Sequence, residues 1–87
     1  MVQNNFYEMT NPNYTSIIPY KISEITSLII ENKKIKFEDA INYLYLSKLY
    51  DFLSDEKTKL WHLSSYKLFE LLEKEKQSNN FDFPDFV

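Results

Sequence analysis

The chain reads as an all-α protein, a small bundle of three to four helices with an extended arm at each end. Three observations predict this. Apolar residues recur at three- and four-residue spacing through three separate segments. Each segment opens on residue types that start helices: Pro19, then Glu38-Asp39, then Ser64-Ser65. A length of 87 residues is that of one small domain. Such a chain buries only about 60–65% of its unfolded surface, so every core side chain matters.

Residues 1–18 are rich in Asn and Thr, with Phe6, Tyr7 and Tyr14 scattered among them and Pro12 set to break a helix, so they read as an extended arm. A first helix is expected from Pro19, whose missing N–H has no intrahelical partner at the first helical position. Ile22, Ile25, Leu28 and Ile29 then fall on one face. Asn32-Lys33-Lys34 is a suitable end, with an asparagine near the C-cap and lysines at the negative end of the helix dipole.

The second segment begins near "KFEDA", where Glu38 and Asp39 occupy a first turn that favours acids. Phe37, Ile41, Leu44, Tyr45, Leu49, Phe52 and Leu53 form a wide apolar stripe. Tyr43, Leu46 and Tyr50 lie on the other side, which predicts a central position. Ser47 either caps a separate short helix or lies inside one long one, and the pattern leaves both open. Ser54-Asp55 ends the segment. Leu60, Trp61 and Leu63 are compatible with a turn, a short helix or an extended run. Ser64 or Ser65 is a good N-cap for "YKLFELLEKEKQ", with Leu68, Phe69, Leu71 and Leu72 inward and Glu70 paired with Lys74. The expected map is an arm over 1–18, a helical domain over 19–78 and an arm over 79–87. Its expected core is Leu28, Ile41, Leu44, Leu49, Phe52, Trp61, Leu68 and Leu72.

Composition narrows the function classes. With no cysteine the chain has no disulfide and no thiolate metal site, which favours a cytoplasmic protein. With no glycine it has no phosphate-cradling loop, and left-handed backbone positions must be filled by other residues at some cost. All ten basic residues are lysines, so the planar fork that reads bases and clamps phosphates is missing. Thirteen acids give a net charge of -3. The excess lies in the tails, at Glu8, Asp82 and Asp85, and the body between them is balanced. No basic stripe is available for nucleic acid. The apolar runs fall far short of the roughly 20 residues that span a bilayer. "MVQNNFYEMTNPNY" lacks the basic and apolar regions of a signal peptide. The expectation is a cytoplasmic protein with no membrane or nucleic-acid partner.

No catalytic, metal-ligating or cofactor-binding residue is assigned. His62 is the single histidine. Although Asp55 and Glu56 are close in sequence, a base or metal site needs further ligands or a nucleophile partner. Packing near the last helix accounts for it. Ser47, Ser64 and Ser65 sit where caps belong, and "ELLEKEKQ" is short enough to be a solvated helix face. The tail "QSNNFDFPDFV" is different, since it interleaves rings with acids as segments that order on binding do. Either these rings fold back to finish an undersized core, or they dock on a partner. The interleaved aspartates favour docking. The candidate partner-binding residues are Phe81, Asp82, Phe83, Pro84, Asp85 and Phe86, with Phe6 and Tyr7 from the other arm.

The middle of the chain, "AINYLYLSKLYDFLSDEKTKLWHLSSYKLFELLEKE", resembles a family of short bacterial α-helical proteins of unknown function. The shared pattern is held here by Ser47, Tyr50, Leu53, Asp55, Thr58, Trp61, Ser64 and Glu75. The resemblance covers about residues 20–76 and neither tail. Such proteins are often encoded beside toxin-like genes, including ADP-ribosyltransferase-like ones. The resemblance therefore implies a non-catalytic antitoxin whose partner is a toxin-like enzyme. The alternative is a phage- or mobile-element-encoded inhibitor of a host defence enzyme.

Overall fold

The computed structural model describes residues 12–84. Four helices follow one another: α1 Pro12–Lys33, α2 Phe37–Tyr45, α3 Lys48–Leu53 and α4 Ser65–Ser78. Single turns of 3-10 helix at Glu56–Thr58 and Leu60–His62 join α3 to α4. The described residues contain no strand, and the fold is all-α. Helix α1 packs on α2 and α4, and α3 packs on α4. Glu24 meets Ser65 near the start of α4 and Lys33 meets Glu73 near its end, so the two long helices lie side by side in the same direction.

Helix α1 begins at Pro12, not at Pro19, and residues 12–18 belong to it rather than to an arm. Pro12 takes the first helical position, where a missing N–H costs nothing. Tyr14, Ile17 and Ile18 then prolong the stripe of Ile22, Ile25 and Ile29 against the core. The Tyr14 ring stands edge-on to Trp61 at 5.5 Å, and its hydroxyl donates to the Leu53 carbonyl at 3.4 Å. These long-range contacts outweigh the break expected at Pro19, which lies in the helix interior with its ring exposed.

The helix ends show how a glycine-free chain turns. Lys34, Lys59 and Asn79 hold φ of 58°, 64° and 61°, a region that costs a residue with a Cβ roughly 1–2 kcal/mol. Lys34, and not Asn32, supplies the left-handed residue after α1. Asn32 stays helical and donates its amide to the Leu28 carbonyl at 2.8 Å.

Ser47 does separate α2 from α3. Its hydroxyl oxygen accepts the Tyr50 N–H at 3.0 Å. The two preceding N–H groups of α3, on Lys48 and Leu49, donate to the Glu75 carboxylate at 2.7 and 3.0 Å. The three leading amides of a six-residue helix are thus all satisfied, two of them by a side chain on α4. Glu75 is only 7% exposed, so its charge is held by hydrogen bonds from the positive end of a helix.

The stretch from Ser54 to Ser64 forms two tight turns. Asp55 accepts the Lys57 N–H at 3.1 Å, and the Thr58 hydroxyl reaches back to the Phe52 carbonyl at 2.7 Å. The Trp61 indole N–H donates to the Glu56 carbonyl at 3.0 Å. Leu60 and Trp61 are thereby turned inward, and Ser64 caps α4 by accepting the Lys67 N–H at 3.1 Å.

The core consists of Ile25, Ile29, Leu44, Leu49, Leu53, Leu60, Leu68 and Leu72, all without exposed area, together with Ala40, Trp61 and Leu71. Leu28, Ile41 and Phe52, expected at the centre, are only half-buried. Leu28 lines a groove between α1 and α4, and Ile41 lines one between α1 and α2. Phe52 is covered from outside by the tail.

Candidate functional site

The C-terminal segment leaves α4 through a sharp turn. Asn79 takes the left-handed cap, its N–H donating to the Glu75 carbonyl at 2.7 Å. The Ser78 hydroxyl lies 3.0 and 2.9 Å from the carbonyls of Lys74 and Asn80. The chain then returns to the body. Phe81 and Phe83 pack on Phe52 with ring centroids 5.3 and 4.8 Å away, and on each other edge-to-face at 5.4 Å.

Over the described residues, then, the tail does not stand free as a separate docking arm. Phe52 leaves an apolar surface that two rings can cover. Burying a Phe contributes about 2 kcal/mol, and a ring pair about 0.5–1.5 kcal/mol more. The fold-back is incomplete. Phe81 is half-buried against the core, while Phe83 is 46% exposed and Asp82 points to solvent. Asp82, Phe83 and Pro84 form one wall of a groove whose other wall is Leu63, Lys67, Leu71 and Lys74. Among the described residues no lysine forms an ion pair with Asp82. Of the predicted binding residues the structure thus brings together Phe81, Asp82, Phe83 and Pro84. Asp85, Phe86, Phe6 and Tyr7 lie outside the described residues.

Two polar clusters were not foreseen. In the first, Tyr43 donates to Glu73 at 2.8 Å, Lys33 pairs with Glu73 at 3.0 Å, and the Lys33 and Lys76 ammonium groups lie 5.1 and 4.5 Å from the Tyr43 ring centroid. Burial pushes the Tyr43 hydroxyl above its ordinary 10.0, and the hydrogen bond to Glu73 adds to this. The same carboxylate raises Lys33. This clasp joins α1, α2 and α4 at one end of the bundle. In the second, Glu24 accepts hydrogen bonds from the Ser65 and Tyr20 hydroxyls, which lower its carboxyl below the ordinary 4.5. Neither cluster is complete in the sequence, because each joins side chains of more than one helix that meet only on folding.

His62 is exposed and tilted against Trp61, with ring centroids 4.1 Å apart. Among the described residues no three His, Asp or Glu side chains gather in a metal-binding arrangement, and no helix is long and apolar enough to cross a membrane. Large side chains project from the surface instead: Leu46 is 82% exposed, and Tyr20, Phe37, Tyr45 and Tyr66 are exposed with it.

No family profile, no curated protein and no solved structure matches the chain. The residues of the pattern in the middle of the chain have structural roles here. Ser47, Asp55 and Ser64 are N-caps, Thr58 and Trp61 tie the 3-10 turns, Leu53 is core, and Glu75 caps α3 from a distance. Tyr50 is half-buried and packs on Tyr45 at 4.6 Å.

Proposed function

We propose that the protein is a non-catalytic binding module and that it serves as the antitoxin of a bacterial toxin–antitoxin pair, blocking a toxin-like enzyme by direct contact. The observation that carries the binding reading is the anchored aromatic turn. Phe81 and Phe83 both rest on Phe52, yet Phe83 keeps 46% of its area in solvent and Asp82 is exposed beside it. A segment already ordered in the free protein loses less conformational entropy on binding than a flexible one. Phe83 supplies the apolar anchor, and Asp82 steers the approach of a basic site. The antitoxin assignment rests on the resemblance of residues 20–76 to proteins encoded beside toxin-like genes.

Co-expression tests this reading. The product of the neighbouring reading frame is expressed alone and with this chain, and growth is followed. The chain restores growth; Phe83→Ala weakens rescue mainly through faster dissociation, and Asp82→Asn through slower association at low ionic strength. Asp82→Asn keeps the parent melting temperature. Phe83→Ala lowers stability only by what its ring contacts with Phe52 and Phe81 contribute, about 1–2 kcal/mol, so rescue is compared at a temperature where both variants stay folded. A neighbour that is harmless alone, or rescue unchanged in both variants, overturns the proposal.

A further inference from the structure

Helix α1 carries a second surface, remote in sequence from the tail. Ser23 and Ser27 are exposed on its outer side and line two adjoining troughs. On one side Pro19, Ile22, Ile30, Phe37 and Ile41 form an apolar trough of about 250 Å³ with α2. On the other side Glu24, Leu28, Ser64, Ser65 and Tyr66 form a more polar one of about 490 Å³ with the start of α4. Three rings stand on this face with most of their area in solvent: Tyr20 at 61%, Phe37 at 63% and Tyr66 at 69%. In a chain with 26% charged residues, the two troughs hold, among the described residues, a single charged side chain, Glu24.

We infer that this face docks an amphipathic helix of a partner protein, one that carries a lysine or arginine beside its apolar anchors. The shape selects a helix. From Pro19 to Ile30 the trough runs roughly 16 Å at 1.5 Å per residue, about three helical turns. The small serines along it allow the 8–10 Å axial approach of packed helices, to order of magnitude. Phe37 and Ile41 offer the partner an apolar seat.

The charge selects a cation. The Glu24 carboxylate accepts from Ser65 and Tyr20, yet a carboxylate has about four acceptor positions, so it has room for a further donor. The nearby Lys21 makes no ion pair with it: its ammonium donates to the Leu63 carbonyl at 2.6 Å and acts on Glu24 only at a distance, as the last of the effects on its carboxyl. Glu31, exposed one turn beyond Ser27, adds a second negative charge on the same row. Tyr20 and Tyr66 flank the carboxylate, and their faces attract a cation as well. A second copy of this chain fits less well, because its matching face would bring the same carboxylates and no lysine from the troughs.

A titration of the isotope-labelled full chain, followed residue by residue by NMR, tests the inference. The probes are a 15-residue amphipathic Leu/Lys peptide and its Leu/Glu counterpart. The Leu/Lys peptide shifts the amides of Ser23, Ser27, Phe37 and Tyr66 and binds at least about tenfold tighter than the Leu/Glu peptide. Glu24→Gln removes about tenfold of that preference. Phe37→Ala weakens both peptides while the melting temperature stays put, since its ring is exposed. Equal binding of the two peptides, shifts centred on the tail or spread over all acids, or self-association of the chain through this face would overturn it. Phe83→Ala leaves this titration unchanged, so the fate of the tail proposal is read separately.

Discussion

Replacing Glu75 by alanine removes the acceptor of two backbone amides at the start of α3, those of Lys48 and Leu49. Hydrogen bonds to a charged group contribute about 1.5–3 kcal/mol each, and a carboxylate at a partly buried helix N-terminus gains up to about 2 kcal/mol from the dipole. Two effects reduce the loss. The Lys48 amide is only partly buried, so it regains some water, and the buried carboxylate no longer bears its desolvation cost. The Leu49 amide is buried and gains nothing. The net expected loss is roughly 2–4 kcal/mol, against a total of about 4–13 kcal/mol for a chain of this length. A six-residue helix has no independent stability to fall back on. Glu75→Gln keeps one carbonyl acceptor and should lose about half as much. Urea unfolding followed by the fluorescence of Trp61, the single tryptophan and 7% exposed, measures both. Glu70→Ala is the control, because its exposed carboxylate makes only a 3.4 Å pair with Lys67, worth less than about 1 kcal/mol. If Glu75→Ala unfolds at the same urea concentration as Glu70→Ala, the capping argument is wrong.

Other perturbations address other parts of the fold. Leu44→Ala empties a site with no exposed area and should cost about 2–5 kcal/mol, while Leu46→Ala, two residues on and 82% exposed, should stay within about 0.5 kcal/mol in the same titration. Lys59→Gly should raise stability by up to about 1 kcal/mol, since φ of 64° strains any residue with a Cβ; a drop in melting temperature would contradict the left-handed assignment. Pro19→Ala gives the interior of α1 a backbone N–H and should stabilise by about 1–3 kcal/mol, whereas no change in the melt would mean that the helix starts at Pro19. The melting temperature should fall above about pH 10: Tyr14, Tyr20 and Tyr43 have folded values raised above 10.0 and Lys33 one raised above 10.5, so their contribution is complete below the unfolded values and is lost as pH rises through the folded ones. Tyr43→Phe should flatten that limb. Glu24 acts in the opposite sense, its lowered carboxyl contributing above 4.5 and losing that contribution as pH falls.

The helical class, the start of α4 at a serine cap and the boundary after Ser78 were all legible in the sequence, because spacing and capping are local properties. The tail was legible as a cluster for the same reason, since Phe81, Asp82, Phe83 and Pro84 are contiguous. Where the rings go was not legible. That depends on Phe52, whose exposed face exists only after α3 has packed. The split at Ser47 had the same character: the serine could cap, but Glu75 completes the cap from 26 residues away in sequence. Helix α1 outran its proline because Tyr14 found Trp61 and the Leu53 carbonyl, a gain that local propensity does not contain. Ile25 and Ile29 lie deeper than Leu28 because α4 and α2 close over one part of a broad apolar arc and leave its edge as a groove. The α1 face was invisible for a related reason, since Ser23, Phe37 and Tyr66 become neighbours only when three helices pack. By itself the sequence determined which segments are helical and what can cap them, for those preferences act within a turn. Only the tertiary structure decided where helices begin and break, which side chains are deepest and which rings stay outside, because those outcomes depend on surfaces that distant segments supply.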